Sequence, residues 1–115
     1  MHELSIMSNI LDIVVEHAQR HGAQKVTRIN LRIGVLSDII PQWAQTYFDM
    51  LSRDTIADGA SLEIERVPVA VRCGSCGHEE TFIDGEWQFT CVKCGAMDIE
   101  LLQGRELSVA SIEVM

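Results

Sequence analysis

An α+β fold is predicted: a small three-stranded sheet with two helices on one face, plus a four-cysteine hairpin inserted before the last strand. Three observations predict it. Apolar residues recur at helical spacing near the start and again after Pro41. Apolar and polar residues alternate with a period of two in other segments, the pattern of half-buried strands. All four cysteines fall within residues 73–104, a stretch with its own composition. At 115 residues the chain is one domain, or one small domain carrying an appendage. A chain of that size buries only about 60–70% of its unfolded surface, so the core is modest.

Residues from about Leu4 to Arg20 read as the first helix. Leu4, Met7, Leu11, Val14 and Ala18 lie three or four apart, and Ile10 and Val15 widen the stripe. Gly22 is placed to end it, with His17, Arg20 and His21 near the C-terminus, where cations are favoured. From Val26 to Val35 the period changes to two: Ile29, Leu31, Ile33 and Val35 alternate with Arg28, Asn30, Arg32 and Gly34. Pro41 suits the first turn of a second helix, whose apolar face would be Trp43, Ala44, Tyr47, Phe48 and Leu51. A second strand is expected from Leu62 through Ile64 and on to Val71, and a third from about Leu107 to Val114. In the third, Leu107 and Val109 have one parity and Ile112 and Val114 the other, which a bulge would reconcile. Strand–helix–strand is a crossover, so the first two strands could be parallel. The expected organisation is a helix–sheet domain, residues 1–72 and 105–115, interrupted by a ribbon domain, residues 73–104.

A hydrophobic fraction of 47% with 23% charged residues excludes a disordered chain. No apolar run approaches the roughly 20 residues of a membrane helix, and Met1-His2-Glu3-Leu4-Ser5 is not a basic signal-peptide start. A soluble, cytoplasmic, unprocessed protein is expected. The net charge is −8, spread unevenly: −2 over residues 1–72, −5 over residues 73–104, where Lys93 stands alone against six carboxylates, and −1 beyond. A nucleic-acid module needs clustered cations to displace counterions, so DNA and RNA are disfavoured as partners.

Cys73-Gly74-Ser75-Cys76 and Cys91-Val92-Lys93-Cys94 are two Cys-x-x-Cys pairs, 14 residues apart. A tetrahedral zinc ion takes four thiolates about 2.3 Å away, and each tight turn presents two of them. Gly77 and Gly95 follow the second cysteine of each pair, where the turn favours positive φ. Thr81-Phe82-Ile83, Asp84-Gly85 and Trp87-Gln88-Phe89 read as a hairpin with a type I′ turn. The reading is a zinc ribbon held by Cys73, Cys76, Cys91 and Cys94. Two disulfides would suit a secreted protein, and a redox motif needs one Cys-x-x-Cys at a helix start; neither matches as well. Four thiolates leave no open position, so this zinc is structural rather than hydrolytic, and its binding is linked to the folding of the insert.

The N-terminus is a second donor set. The α-amine, the amide nitrogen of residue 2 and the His2 imidazole can close a five- and a six-membered chelate ring, and Glu3 adds an amide and a carboxylate. Nitrogen-rich, planar ligation suits Ni(II) or Cu(II); the competing reading is a merely solvated histidine. His17 and His21, at i and i+4, could form a metal pair, though helix-end electrostatics also accounts for them. His78 follows the first turn as a candidate auxiliary ligand. His2-Glu3 does not open a zinc-protease His-Glu-x-x-His motif, because Ile6 occupies the second histidine's place. No phosphate loop or activated nucleophile is visible, and an enzyme is not expected.

The chain as a whole resembles the HypA/HybF family of hydrogenase maturation factors. The resemblance is carried by Met1-His2-Glu3-Leu4-Ser5, Ile33-Gly34-Val35-Leu36-Ser37, Pro41, Thr55-Ile56-Ala57-Asp58-Gly59-Ala60, the paired Cys-x-x-Cys, and Ser111-Ile112-Glu113-Val114. It implies a nickel metallochaperone that works with a HypB-type GTPase to insert Ni(II) into NiFe-hydrogenase, its partner there being the large subunit or the maturation complex of that subunit. Carried over, Met1 gives its α-amine, His2 its amide and imidazole, and Glu3 a backbone or carboxylate donor, with zinc held separately. A homodimer is left open. One departure is Asp58, where the family's turn leads us to expect Glu, and His78 is the one histidine beside the ribbon. Two rival readings are a ribbon-type nucleic-acid factor, disfavoured by the acidic insert, and an adaptor whose only metal is structural zinc.

Overall fold

A computed structural model describes residues 2–37, 39, 41–82, 88 and 90–115, and of His2 the backbone. The elements are α1 (His2–Arg20), β1 (Val26–Gly34), α2 (Pro41–Leu51), β2 (Ser61–Val67), β3 (Val69–Cys73), β4 (Glu79–Phe82), β5 (Ile99–Gln103) and β6 (Leu107–Val114). They form two three-stranded sheets, ordered β2-β1-β6 and β4-β3-β5. Contacts divide the chain into two compact units: Met1–Arg32 with Asp38–Glu65 and Ser108–Met115, and Ile33–Ser37 with Arg66–Leu107.

In the first unit, α1 buries Met7, Ile10, Leu11, Val14 and Ala18, the stripe read from the sequence, and packs against α2. The helix opens at His2, two residues earlier than its apolar pattern begins. It closes as a Schellman turn: Ala23 N–H donates to the Ala18 carbonyl and Gly22 N–H to that of Gln19, both at 3.0 Å, with Gly22 at φ 72°. On β1, Ile29 and Leu31 are buried, while Arg28, Asn30 and Arg32 meet Glu113, Ser111 and Glu65 on the other face. Partners advance together along β1 and the chain into β2 (Val26 with Ile56, Arg32 with Glu65), the parallel sense of a crossover. Against β6 they run in opposite order, Lys25 with Met115 and Asn30 with Ser111, the antiparallel sense. Val109 and Ile112, three residues apart, are the half-buried residues of β6, so the strand departs from strict alternation between them.

Three expectations need correction. Trp43 is not on the buried face of α2: it is 51% exposed, and Ala44 and Phe48 take that face. A buried stripe centred on those two leaves residue 43 a helical step of about 100° aside, where its ring stands 6.4 Å from that of Tyr47. The single strand expected over residues 62–71 is two, β2 and β3, divided at Pro68, which has no N–H for a ladder. And β5 was not foreseen, although Ile99 and Leu101 alternate around Glu100. The proposed Asp84-Gly85 hairpin turn and its Trp87–Phe89 arm lie outside the described residues, save Gln88.

In the second unit, β3 is central and antiparallel to both neighbours, pairing Arg72 with Glu79 and Glu100, and Cys73 with Ile99. The end of β1 and the segment after it are tied in by Gly34 N–H to the Glu106 carbonyl, Val35 N–H to that of Val67 and Leu36 N–H to that of Gly104, at 2.7–2.9 Å. Val67, Val69, Val71, Cys73 and Cys91 are its buried apolar side chains along with Ile33, among the described residues.

The Trp43 correction is testable. Phe48→Ala should lower the unfolding free energy of the helical unit by about 3–5 kcal/mol, and Trp43→Ala by about 1 kcal/mol or less. Urea titrations read by far-ultraviolet circular dichroism measure both; equal losses contradict the assignment of faces.

Candidate metal centre

The four cysteines are brought together. All are free thiols, and their Sγ atoms lie within 4.8 Å of one another. Cys73 Sγ is 3.6 Å from Cys94 Sγ, and Cys76 Sγ is 3.6 Å from Cys91 Sγ. A disulfide needs about 2.05 Å, so these sulfurs are not bonded to one another. Four sulfurs at about 2.3 Å from a tetrahedral ion stand about 3.8 Å apart, so the cluster has the dimensions of a metal cage.

Backbone geometry builds that cage twice in the same way. After β3, Gly77 N–H donates to the Cys73 carbonyl at 2.9 Å and Cys73 N–H to that of His78 at 2.8 Å. In the second turn, Gly95 N–H donates to Cys91 at 2.9 Å and Cys91 N–H to Ala96 at 2.8 Å. Gly77 and Gly95 adopt φ of 77° and 76°, a conformation that side chains disfavour. In each turn the first sulfur accepts from backbone: Cys76 N–H reaches Cys73 Sγ, and Lys93 and Cys94 N–H reach Cys91 Sγ, all at 3.4 Å. Cys73 and Cys91 are buried, and Cys76 and Cys94 are exposed.

Those hydrogen bonds set the charge of the cluster. The Cys76 N–H holds the Cys73 thiol below its ordinary range, and the Cys94 N–H brings Cys91 down to about 6. The Ala96 N–H acts the same way on Cys94, yet the neighbouring sulfurs, Cys73 foremost, push it up to about 12. The last proton is retained because like charges crowd within one site. A divalent cation reverses that balance and deprotonates a coordinating thiol outright. The donors therefore fit a soft-sphere cation such as zinc, bound by Cys73, Cys76, Cys91 and Cys94.

His78 stands beside the cage, but its Nε2 lies 3.0 Å from Glu80 Oε1, and it is not among the clustered ligand atoms. Sequence reading named the sulfurs but not the amides of Lys93, Cys94 and Ala96, which tune them; the matching glycines after each pair were the available signal. The proposed terminal donors begin at α1: Glu3 is in its first turn, Met1 is outside the described residues, and of His2 only the backbone is described. No helix among the described residues is long and apolar enough to cross a membrane.

Comparison with known proteins covers nearly the whole chain. The profile of a family described as "Hydrogenase/urease nickel incorporation, metallochaperone, hypA" matches residues 1–114. A hydrogenase maturation factor HypA of Dehalococcoides mccartyi is 42% identical over 114 residues, 99% of this chain and 94% of that protein. One of Trichormus variabilis is 44% identical, covering 99% and 96%. A solution structure of a HypA protein superposes with a TM-score of 0.75 at 26% identity, covering 100% and 97%. The solution structure of the Ni metallochaperone HypA from Helicobacter pylori, at 24% identity, shares the fold with a TM-score of 0.69, covering 98% and 97%.

Loading the reduced, metal-free chain with Zn(II) at pH 7 should release at least one proton, that of Cys94. Cys91, at about 6, is already mostly ionised there. Apparent affinity should fall as pH falls, because protons compete for the sulfurs. Calorimetry in buffers of different ionisation enthalpy counts the protons; none released contradicts the charge assignment.

Proposed function

Since the chain belongs to the HypA family of hydrogenase and urease nickel-incorporation metallochaperones, we propose that it binds Ni(II) at its N-terminus and delivers it during NiFe-hydrogenase maturation. The handover is to a HypB-type GTPase and the hydrogenase large subunit, in the cytoplasm, and the chain is a carrier rather than an enzyme. Zinc is held apart by Cys73, Cys76, Cys91 and Cys94, so the proposed working division is a nickel-binding helix–sheet domain (residues 1–72 and 105–115) and a zinc-ribbon domain (residues 73–104), the latter lying in a compact unit that also takes in residues 33–37, 66–72 and 105–107.

The observation that carries this reading is the closed sulfur cage. Four mutually adjacent thiolates satisfy one tetrahedral ion and offer no open position through which a cargo ion enters and leaves. Cargo then needs another donor set, and Met1, His2 and Glu3 supply one: the α-amine, the His2 amide and imidazole, and a backbone or carboxylate donor from Glu3. That α1 opens at His2 supports this. The first four N–H groups of a helix have no preceding helical carbonyl to bond, so the His2 amide nitrogen is engaged in no intrahelical bond that deprotonation would break. Planar nitrogen ligation of that kind favours Ni(II) over Zn(II), which gains nothing from it. Ligands on a chain end leave the ion one at a time, which suits transfer.

His2→Ala, and separately an N-terminal Gly-Ser extension that removes the free α-amine from Met1, should each weaken Ni(II) binding by at least about a hundredfold, beyond the loss typical of outer-shell changes. Zinc content should stay at one ion per chain. Affinity of the native chain should fall below about pH 8 as the amine and then the imidazole gain protons. Calorimetric titration with elemental analysis reads both metals; unchanged nickel binding in both variants removes the site and leaves a zinc-only adaptor.

A further inference from the structure

Helix α1 carries another pair of donors at its opposite end. His17 and His21 lie four residues apart, both exposed, with ring centroids 4.5 Å apart and planes inclined by 38°. His21 Nδ1 is 3.0 Å from the His17 carbonyl oxygen. A carbonyl can only accept, so Nδ1 bears the proton, and the neutral ring keeps its lone pair on Nε2. Metal-ligating histidines are held this way, the second nitrogen donating to a carbonyl and fixing the tautomer.

The spacing of the rings is also informative. With nitrogen about 2.05 Å from a metal, each ring centre stands about 3.2 Å from it; two rings at right angles then have centres about 4.5 Å apart, against about 5.2 Å at the tetrahedral angle. The 4.5 Å separation is one that two rings on a single ion can have, and imidazole nitrogen suits Ni(II) and Cu(II). The site is at a helix C-terminus, the end at which the helix dipole places partial negative charge. Glu16 is paired with Arg20 at 2.5 Å, so the carboxylate next in sequence to His17 already has a cation of its own. Along the axis His17, the nearer of the two, is about 22 Å from residue 2, at 1.5 Å per residue, too far to share one ion with the N-terminus.

We infer that His17 and His21 form a second, bidentate site for a divalent transition cation, Ni(II) or Cu(II), with water in the remaining positions. This site does not rest on the N-terminal one. The competing account treats the His21 bond as a helix cap and assigns no metal.

The test uses the zinc-loaded full chain carrying His2→Ala, titrated with Ni(II) and followed by histidine imidazole resonances. One further equivalent should bind, with the His17 and His21 ring signals shifting or broadening together. Adding His17→Ala or His21→Ala should weaken that binding on the order of a hundredfold, since either change breaks the chelate. Both positions are exposed and alanine favours helix, so far-ultraviolet circular dichroism should be unchanged. Undisturbed rings at one equivalent overturn the site, as does binding by either single variant equal to that of the parent. If the N-terminal reading fails, His2→Ala leaves nickel binding unchanged, but the response of these two rings still decides this site.

Discussion

Four sulfurs within 4.8 Å of one another cannot all carry charge without a cation between them. The second unit is organised around that constraint. Strand β3 runs directly into Cys73, and β5 begins five residues beyond Cys94 and pairs its Ile99 with Cys73. The two metal-binding turns thus fasten the end of the central strand to its neighbour. The apolar interior of this unit is small, formed by Ile33, Val67, Val69 and Val71 with the two buried cysteines. The Arg72 ion pairs to Glu79 and Glu100, at 3.7 and 3.6 Å, are about half exposed and contribute little. A core of this size leans on a metal, because ligand binding energy becomes folding energy when no preformed site exists in the unfolded chain.

The first unit depends on a different force. Met7, Val14, Phe48, Ile29 and Leu31 are almost wholly removed from water, and each such side chain contributes roughly 1.5–3 kcal/mol of transfer free energy. Polar groups here fix geometry. Gln45 donates to the Ala60 carbonyl at 3.1 Å and accepts from Leu62 N–H at 2.8 Å, holding the start of β2 to α2. Thr55 caps the preceding turn through Ser52 and Ala57. These bonds give a physical role to the Thr55–Ala60 stretch.

What could be read from the sequence follows from which signals are local. The α1 stripe, the β1 alternation and the paired cysteines were legible because period and spacing are properties of adjacent residues. The bounds of β6 were equally plain, and even its break of parity was visible in Leu107, Val109, Ile112 and Val114. Trp43 misled because apolar character does not say which side of a helix meets the core; Ala44 and Phe48 of the expected face lie against it and Trp43 does not. Pro68 was present in the sequence, but a run of valines outweighed the missing donor, and only the sheet order shows that β2 and β3 serve different sheets. Strand β5 was overlooked because its partner, β3, is some 30 residues away and the alternation of Ile99 and Leu101 around Glu100 is too short to mark a strand by itself. In the metal centre, sulfur positions were legible while the amide donors that set their acidity were not, since the chain's fold and not its side chains supplies them.

The polarity of α1 bears on how a cargo ion is held. A helix carries about half a positive charge at its N-terminus and half a negative charge at its C-terminus, worth roughly 0.3–1 kcal/mol for a unit charge nearby. On the proposed reading the nickel site sits at the unfavourable end. Retention there depends on the ligands alone, and deprotonated amide and carboxylate donors must cancel the field as well as bind the ion. Protonation of the α-amine or of His2 then removes a donor while the helix end continues to repel, so a small change of ligation releases the ion. At the other end, around His17 and His21, the field attracts cations but the protein offers two neutral nitrogens. One end thus combines many ligands with an opposing field, and the other few ligands with a supporting one. An ion bound at either end remains exchangeable, unlike one enclosed by the four sulfurs, and exchangeability is the property a carrier requires.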